Sequence, residues 1–466
     1  MAYLHGVEVV EQTSGVRTIA TASSSVIGII GLSDTADSET LIAVNSDTDL
    51  AQFGDPVPGN TIAQALKAIF QQGGAKCLVV NIYAAGTHLT AVSSEAVSAV
   101  GDTYTGANPF YANIVVQDTG GGTTYVLDTD YTVSDYIVTR IEGGGISDGD
   151  ALEISYKYLD PTTATGDVAG SAGAPRTGLF LFDEALSTYG YTPKILIAPY
   201  LSETKTVADS LVAKAVELKA VTILDNGASI PVATAITHRG DATKSFGLNS
   251  PRAILAYPRV KTVLDWSGET VVPYSSFLAG VIAKVDNNPA KGYWKPPSNE
   301  TILGITGIDT PVSFNPSQTG TDSNTLNAAG ICTIISGFGT GYLAWGQRNA
   351  SYPSSTAADN FINVRRVADI LHLSVENSTL QFIGEPINNA VIDAIRESVN
   401  GFIRTLIQRG ALIDGSKCEF RDSDNPAAQI AAGQLVFYLN IMPPPGLERL
   451  TFNSYIDINL LSNLLA

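Results

Sequence analysis

Three consecutive prolines, Pro443, Pro444 and Pro445, with Gly446 behind them, stop the last strand-like segment and leave residues 447–466 beyond it. Proline fixes φ and has no N–H to give a ladder, so the strand before it cannot simply continue. Leu450, Phe452, Ile456 and Ile458 then alternate with Thr451, Asn453, Tyr455 and Asp457, the two-residue period of an extended strand. A strand at a chain end, past a rigid spacer, is placed to pair outside its own subunit. Residues 447–466 are therefore expected to form a C-terminal extended arm. Residues 1–22 also alternate without a helical period, with Val7, Val9 and Val16 as apolar positions and Gly6 and Gly15 as breaks. They read as a matching N-terminal arm that needs a sheet edge.

Between the arms, periodicity predicts an α/β (mixed α+β) multidomain chain, and 466 residues are enough to bury real cores. An α/β domain is expected over 23–100 plus 166–330. Its first βαβ unit has Val26-Ile27-Gly28-Ile29-Ile30-Gly31 as a buried strand and a loop rich in Ser, Thr and Asp. A helix follows, capped by Asn60 or Thr61, with Ile62, Leu66 and Ile69 on one face and Gly73-Gly74 as its stop before a strand over 77–82. The second unit joins strands 194–198 and 221–224 through a helix from about Ser202, with Val207, Leu211, Ala215 and Leu218 inward and Lys205 paired to Asp209 outside. A strand over 253–256 and a helix from Pro273 to about Val285 continue the pattern.

Residues 101–165 break it. Gly-rich turns and alternating aromatics mark an inserted all-β module with ten acidic residues against two basic, eight of the net -18 charges, and so a solvated outer face. From 331 to 446 a C-terminal polymerisation domain is expected, opening with a hairpin over 331–335 and 342–345. Asn360 then caps a helix with Val364, Val367, Ala368, Leu371 and Val375 inward, leaving Arg365, Arg366 and Asp369 outside. A second helix opens at Pro386 with Asn388 or Asn389. It buries Ile392, Ile395, Val399, Phe402, Ile403 and Leu406, presents Arg396, Asn400 and Arg404 on its other face, and closes at Arg409-Gly410. An alternating strand over 434–441 leads into the prolines.

The composition excludes several chemistries. With 45 acidic against 27 basic residues, the chain is repelled by nucleic acid and by anionic membrane surfaces. No stretch reads as a signal peptide or a membrane span. Cys77, Cys332 and Cys418 are odd in number and widely spaced, which signals neither a disulfide framework nor zinc. His5, His88, His238 and His372 lack metal-ligand spacing, and His372 is expected on a solvated helix face. Gly145-Ile146-Ser147-Asp148-Gly149 matches a nucleophile elbow in letters, but strands flank it on both sides, so it reads as a turn. Gly337-Phe338-Gly339-Thr340-Gly341 likewise joins two strands rather than opening a helix. No catalytic, cofactor or metal site is expected. Arg365-Arg366 with Arg396 and Arg404 is the one basic feature open to two readings, a partner-binding face or a salt-bridge face with Asp369 and Asp393.

The ending resembles the contractile tail sheath family of phages, whose relatives include phage-like bacteriocin sheaths. The resemblance is carried by Phe361-Ile362-Asn363-Val364-Arg365-Arg366, Gly384-Glu385-Pro386-Ile387-Asn388, Val399-Asn400-Gly401-Phe402-Ile403, Arg409-Gly410-Ala411-Leu412 and the late strand running into prolines. Earlier support comes from Gly6-Val7-Glu8-Val9, residues 28–31, the loop 288–298 and the turn before Trp345-Gly346-Gln347-Arg348. Asn349 stands where the family usually has Thr, and the acidic insert lies where sheath proteins vary most.

The resemblance implies a non-enzymatic subunit of hexameric rings stacked helically around a tail tube, assembled in the host cytoplasm and carried in the virion. Its implied partners are further copies of itself, the tube protein, and baseplate and terminator proteins, with neither nucleic acid nor membrane insertion. It implies that arms through Val7, Val9, Val16, Leu450, Phe452, Tyr455, Ile456 and Ile458 link neighbours, and that the helix over 388–408 grips the tube, with Asn388, Arg396, Asn400 and Arg404 as candidates. Two other readings are an enzyme with a nucleotide-binding α/β core and a glycan or surface adhesin built on the insert.

Overall fold

The strand β1 (Ile27–Gly31) is buried at every position, and its glycines are where other elements touch its backbone. A Cβ on Gly28 would lie 2.7 Å from Leu196 Cδ2, and one on Gly31 2.3 Å from the Thr61 hydroxyl. The computed structural model describes residues 19–264, 268–337 and 339–464. Val7, Val9 and Val16 of the expected N-terminal arm, and His5, lie outside the described residues.

Helix α1 (Thr61–Gln71) starts where expected, with Asn60 Oδ1 accepting from the Ala63 N–H at 3.2 Å, and it returns the chain to β3 (Cys77–Asn81), parallel to β1. The loop expected before α1 in fact holds β2 (Leu41–Val44), antiparallel to β3 at the sheet margin. Its four residues, three half-buried and Val44 buried, are too few to show a period.

Six strands follow: β4 (Leu89–Ser98), β5 (Thr103–Tyr104), β6 (Ala112–Asp118), β7 (Tyr131–Ser134), β8 (Ile137–Arg140) and β9 (Ala151–Leu159). They make two three-stranded antiparallel sheets, β4-β9-β6 and β5-β8-β7, around Tyr104, Phe110, Val116, Tyr131, Val138 and Tyr156. Because β4 pairs with β9, this layer starts before residue 101. Leu159 lies in the core of the main sheet, which roots the layer there. Ser147 sits in the turn between β8 and β9, its N–H held by Asp150 Oδ2 at 2.8 Å, with no helix behind it.

After the short α2 (Ala185–Tyr189) the chain continues with β10 (Ile195–Ile197), α3 (Lys205–Glu217), β11 (Val221–Asp225), α4 (Val232–Gly240), β12 (Ala253–Ala256), β13 (Val260–Val263), β14 (Glu269–Val272) and α5 (Tyr274–Asn287), with β13 and β14 in a separate small antiparallel sheet rather than in the main sheet. Then come β15 (Glu300–Thr301), β16 (Ile305–Ile308), α6 (Asp322–Ala328), β17 (Ile331–Gly337) and β18 (Gly341–Trp345). The nine-stranded order is β15-β18-β17-β12-β11-β10-β1-β3-β2, with the strands from β17 to β3 parallel. Alternate residues feed two cores. Ile29, Val79 and Ile223 pack with α1 and α5 on one face, and Ile30, Val80 and Leu224 with α3 on the other.

The hairpin β17–β18 was expected to open the C-terminal domain. Instead Leu255 and Ala256 of β12 pair with Ile331 and Cys332, so residues 331–345 close the α/β sheet. A hairpin's own sequence does not state which sheet it joins.

The C-terminal layer holds α7 (Ile362–Thr379), α8 (Asn389–Gln408) and the antiparallel pair β19 (Lys417–Phe420) and β20 (Phe437–Asn440). Val367, Leu371, Val399, Phe402, Ile403 and Leu406 make its core, joined by Ile19 from the start of the described chain and Tyr293 from the loop 288–298. Among the described residues, no helix is long and apolar enough to cross a membrane.

Candidate polymerisation surface

Helix α7 does not begin on Asn360. Phe361 is the cap residue, and the Asn360 side chain instead accepts from Arg348 and donates to the Ser355 carbonyl. Nor does the helix leave its charged residues outside. Arg366 is 4% and Asp286 1% exposed, and they pair at 2.9 Å through Nη1, with a second contact through Nη2. Arg366 also donates to the Ser24 carbonyl at 3.2 Å. Asp369 takes both Arg252 nitrogens at 2.7 and 2.8 Å and Arg365 at 2.8 Å. Asp286 lies in the last turn of α5 and Arg252 just before β12, so these bridges bolt α7 to the α/β body. A helix packed between two units has no single solvent face. His372 is half-buried rather than solvated, and burial lowers its imidazole pKa.

Helix α8 is capped by Asn388, whose Oδ1 accepts from the Val391 N–H at 2.9 Å, and it ends at Arg409 with Gly410 at φ +77°. Asn400 faces inward. Its Nδ2 donates to the Cys418 carbonyl at 3.0 Å and its Oδ1 accepts from the Cys418 N–H at 2.8 Å. Of the four tube-facing candidates, Asn388 and Asn400 thus have bonds within the chain. Arg396 and Arg404 remain on the surface, 39% and 63% exposed, with Asp393 at 2.9 Å and Glu397 at 3.7 Å as their respective neighbours.

The Asn400 amide decides which edge of the small sheet is open. In an antiparallel ladder, opposite residues alternate between exchanging both backbone bonds and pointing both away. Cys418 points away from β20 into Asn400, so its opposite residue Leu439 points away from β19. Phe437, two residues earlier, does the same. Their N–H and C=O groups have no partner among the described residues, while the outer edge of β19 is covered at Cys418. Phe437, Leu439 and Ile441 turn one face toward the C-terminal core.

Beyond the prolines, the chain has no strand pairing among the described residues over 446–457, and a 3-10 turn, Ile458–Leu464, follows where an extended segment was expected. Leu450, Phe452, Tyr455, Ile456 and Ile458 are 65–102% exposed. Contiguous apolar exposure of this kind marks a partner surface.

Comparison with known proteins places this architecture. Residues 177–350 match the family model for the phage tail sheath protein central domain, and residues 354–457 that for the phage tail sheath C-terminal domain. The tail sheath protein of Burkholderia phage BcepMu is 39% identical over 475 aligned positions, covering 99% of this chain and 98% of that protein. The chain belongs to the phage tail sheath family. The tail sheath protein of Escherichia phage P2 is 24% identical, with 99% of this chain and 98% of that protein covered. In fold, this sheath protein is similar to the contracted helical sheath of the anti-feeding prophage, with a TM-score of 0.61, 16% identity, and 98% and 100% of the two chains covered. It is also similar to the contracted PVC sheath complex of an extracellular contractile injection system, with a TM-score of 0.61, 15% identity, and 98% and 99% covered. The two family matches meet between residues 350 and 354, after β18, and neither includes the acidic insert.

In α/β enzymes, ligands bind outside the carboxyl ends of the strands, where the strand order reverses. This sheath protein fills that place with its own side chains. Tyr200 donates to Gln64 Oε1 at 2.7 Å, Asp225 accepts from the Ser275 N–H at 2.9 Å and the Ser202 hydroxyl at 3.3 Å, and Glu203 pairs with Arg259. Burial raises the Asp225 carboxyl to about 6 despite the Ser275 bonds, and Glu203 to about 7 despite Arg259. Unfolded carboxyls titrate near ~4, so the folded chain binds more protons between about pH 4 and pH 7. This contribution to stability is complete below that window and is lost as pH rises through it. The thermal midpoint of the isolated subunit should therefore fall between about pH 5.5 and pH 8, and Glu203→Gln should flatten the slope in a pH series of melts.

Proposed function

We propose that this chain polymerises as stacked hexameric rings around a tail tube and contracts to drive the tube through a host envelope, linked throughout by exchanged arms. The observation that carries this reading is an exposed, alternating segment with no strand partner among the described residues, beside a sheet whose β20 edge is open. The outer edge of β20 is the acceptor. A strand laid there puts Leu450, Phe452, Ile456 and Ile458 on the face shared by Phe437, Leu439 and Ile441, extending one apolar core across two subunits. The N-terminal arm, through Val7, Val9 and Val16, supplies a second link.

Main-chain bonds of this kind survive rigid-body rotation, so neighbours stay tethered while the lattice changes. Head-to-tail contacts that do not close give helical assemblies. Contraction is a two-state switch from a trapped extended lattice to one burying more intersubunit surface. The tube, a baseplate and a terminator are the other partners, in a virion tail assembled in the host cytoplasm. The domains divide into arms 1–22 and 447–466, an α/β body, the acidic insert as a solvated outer module, and the C-terminal layer that polymerises.

Electron microscopy of the purified protein tests the reading. Hollow striated cylinders are expected, and monodisperse monomers across salt and concentration would refute it. Arg396 and Arg404 are the tube-facing charges of α8. Their joint replacement by Glu should leave the melting curve unchanged and abolish co-sedimentation with tube, because both are exposed and hold only surface pairs. Undiminished co-sedimentation would remove the gripping role.

A further inference from the structure

The root of the C-terminal arm is held at two points. Pro444 accepts from Asn363 Nδ2 at 2.9 Å, and the backbone at Gly446 runs so close to Gln347 that a Cβ there would lie 1.8 Å from its Oε1. Two residues later, Glu448 makes a two-pronged pair with Arg348, Nε to Oε1 at 2.7 Å and Nη2 to Oε2 at 2.5 Å. The Arg348 guanidinium is itself fixed. It lies 3.6 Å from the ring centre of Phe361 and 4.7 Å from that of Tyr352, and its Nη1 donates to Asn360.

Beneath residues 447–452 runs a groove of about 910 Å³, with Phe314, Trp345 and Tyr352 among the residues on its other walls. The arm therefore spans open space at its root, and Glu448 is the point at which a charged side chain ties it down. Past Glu448 the alternating segment begins at Leu450.

We infer that Arg348 and Glu448 form a positioning latch that sets the direction in which the lent strand leaves its subunit. The inference rests on the arm-exchange reading above. Arg348 follows β18 by three residues, so the latch ties the arm's launch angle to the nine-stranded sheet rather than to the β19–β20 hairpin that precedes the arm in sequence. The arm then turns with the α/β body when the subunit rotates. A strand pre-aimed at its neighbour loses less conformational freedom on docking than one that sweeps from Gly446. A part-exposed ion pair holds such an arm with a preference of up to about fivefold, which bounds the change in the association constant.

Glu448→Gln keeps the shape and removes the charge. Two readouts decide. Spin labels on Arg449→Cys and Thr319→Cys, with the native cysteines buried, report the arm's direction in the unassembled subunit. Pelleting reports the critical concentration for assembly. The latch predicts a narrow label distance that broadens in Glu448→Gln, together with a critical concentration raised up to about fivefold. Arg348→Lys, which keeps the charge but loses the fork and the ring stacking, should do the same. An unchanged distance distribution in Glu448→Gln overturns the latch, as does a broadened distribution with unchanged assembly. Failure of the unmodified protein to assemble would count against arm exchange instead, leaving the label distances to judge the latch separately.

Discussion

Deletion of residues 447–466 should leave a subunit that melts cooperatively close to the full-length temperature and stays entirely in the supernatant under conditions that pellet the full chain. The two halves of this expectation have separate physical causes. Leu447, Leu450, Phe452, Tyr455, Ile456 and Ile458 are exposed and belong to none of the cores, so removing them costs the fold no burial. The lost Arg348–Glu448 pair lies partly in water, 18% and 40% exposed, and such pairs contribute about 0–1 kcal/mol. Assembly has no such reserve. Each copy would present an open β20 edge with nothing to fill it. Cylinders of normal length from the truncated chain would refute strand exchange, and an unfolded product would refute the independence of the arm from the core.

Arg366→Met should be the most damaging single substitution in the C-terminal layer. It leaves the Asp286 carboxylate buried at 1% exposure in the last turn of α5, where the negative end of the helix dipole opposes it. Breaking a buried pair from one side costs about 3–5 kcal/mol, whereas replacing both charges by apolar groups is often neutral. Urea unfolding checks this directly. The expected result is a large drop for Arg366→Met and recovery of most of it in Arg366→Met with Asp286→Leu. Equal losses in the single and double variants would show that Arg366 acts through packing or through the Ser24 carbonyl rather than through its partner charge.

Much of the fold was legible because it repeats a simple rhythm. The two βαβ units showed themselves through short apolar strands alternating with helices of recurring apolar positions, and Asn60 and Asn388 cap where their positions suggest. The lack of a strand partner for residues 446–457 among the described residues was legible because prolines isolate an alternating segment from any local partner. Arg366 and Asp369 were not, because a helical wheel assumes one wet face, and the residues that bury them, Asp286 and Arg252, are 80 and 117 positions away. The hairpin 331–345 joined the α/β sheet through β12, a long-range pairing that local alternation does not encode. The four-residue β19 carries too little pattern to announce itself, and without it the inward role of Asn400 had no visible partner.

In the proposed assembly, one subunit's ending becomes a strand in the next. A cryo-electron microscopy map of the assembled cylinder, traced through the arms, tests it most directly. Residues 450–458 of one copy should lie along the outer edge of Phe437–Asn440 in a neighbour, with Phe452 and Ile456 on the same face as Leu439. A map in which residues 450–458 fold back onto their own subunit, with the β20 edge unoccupied, would contradict it.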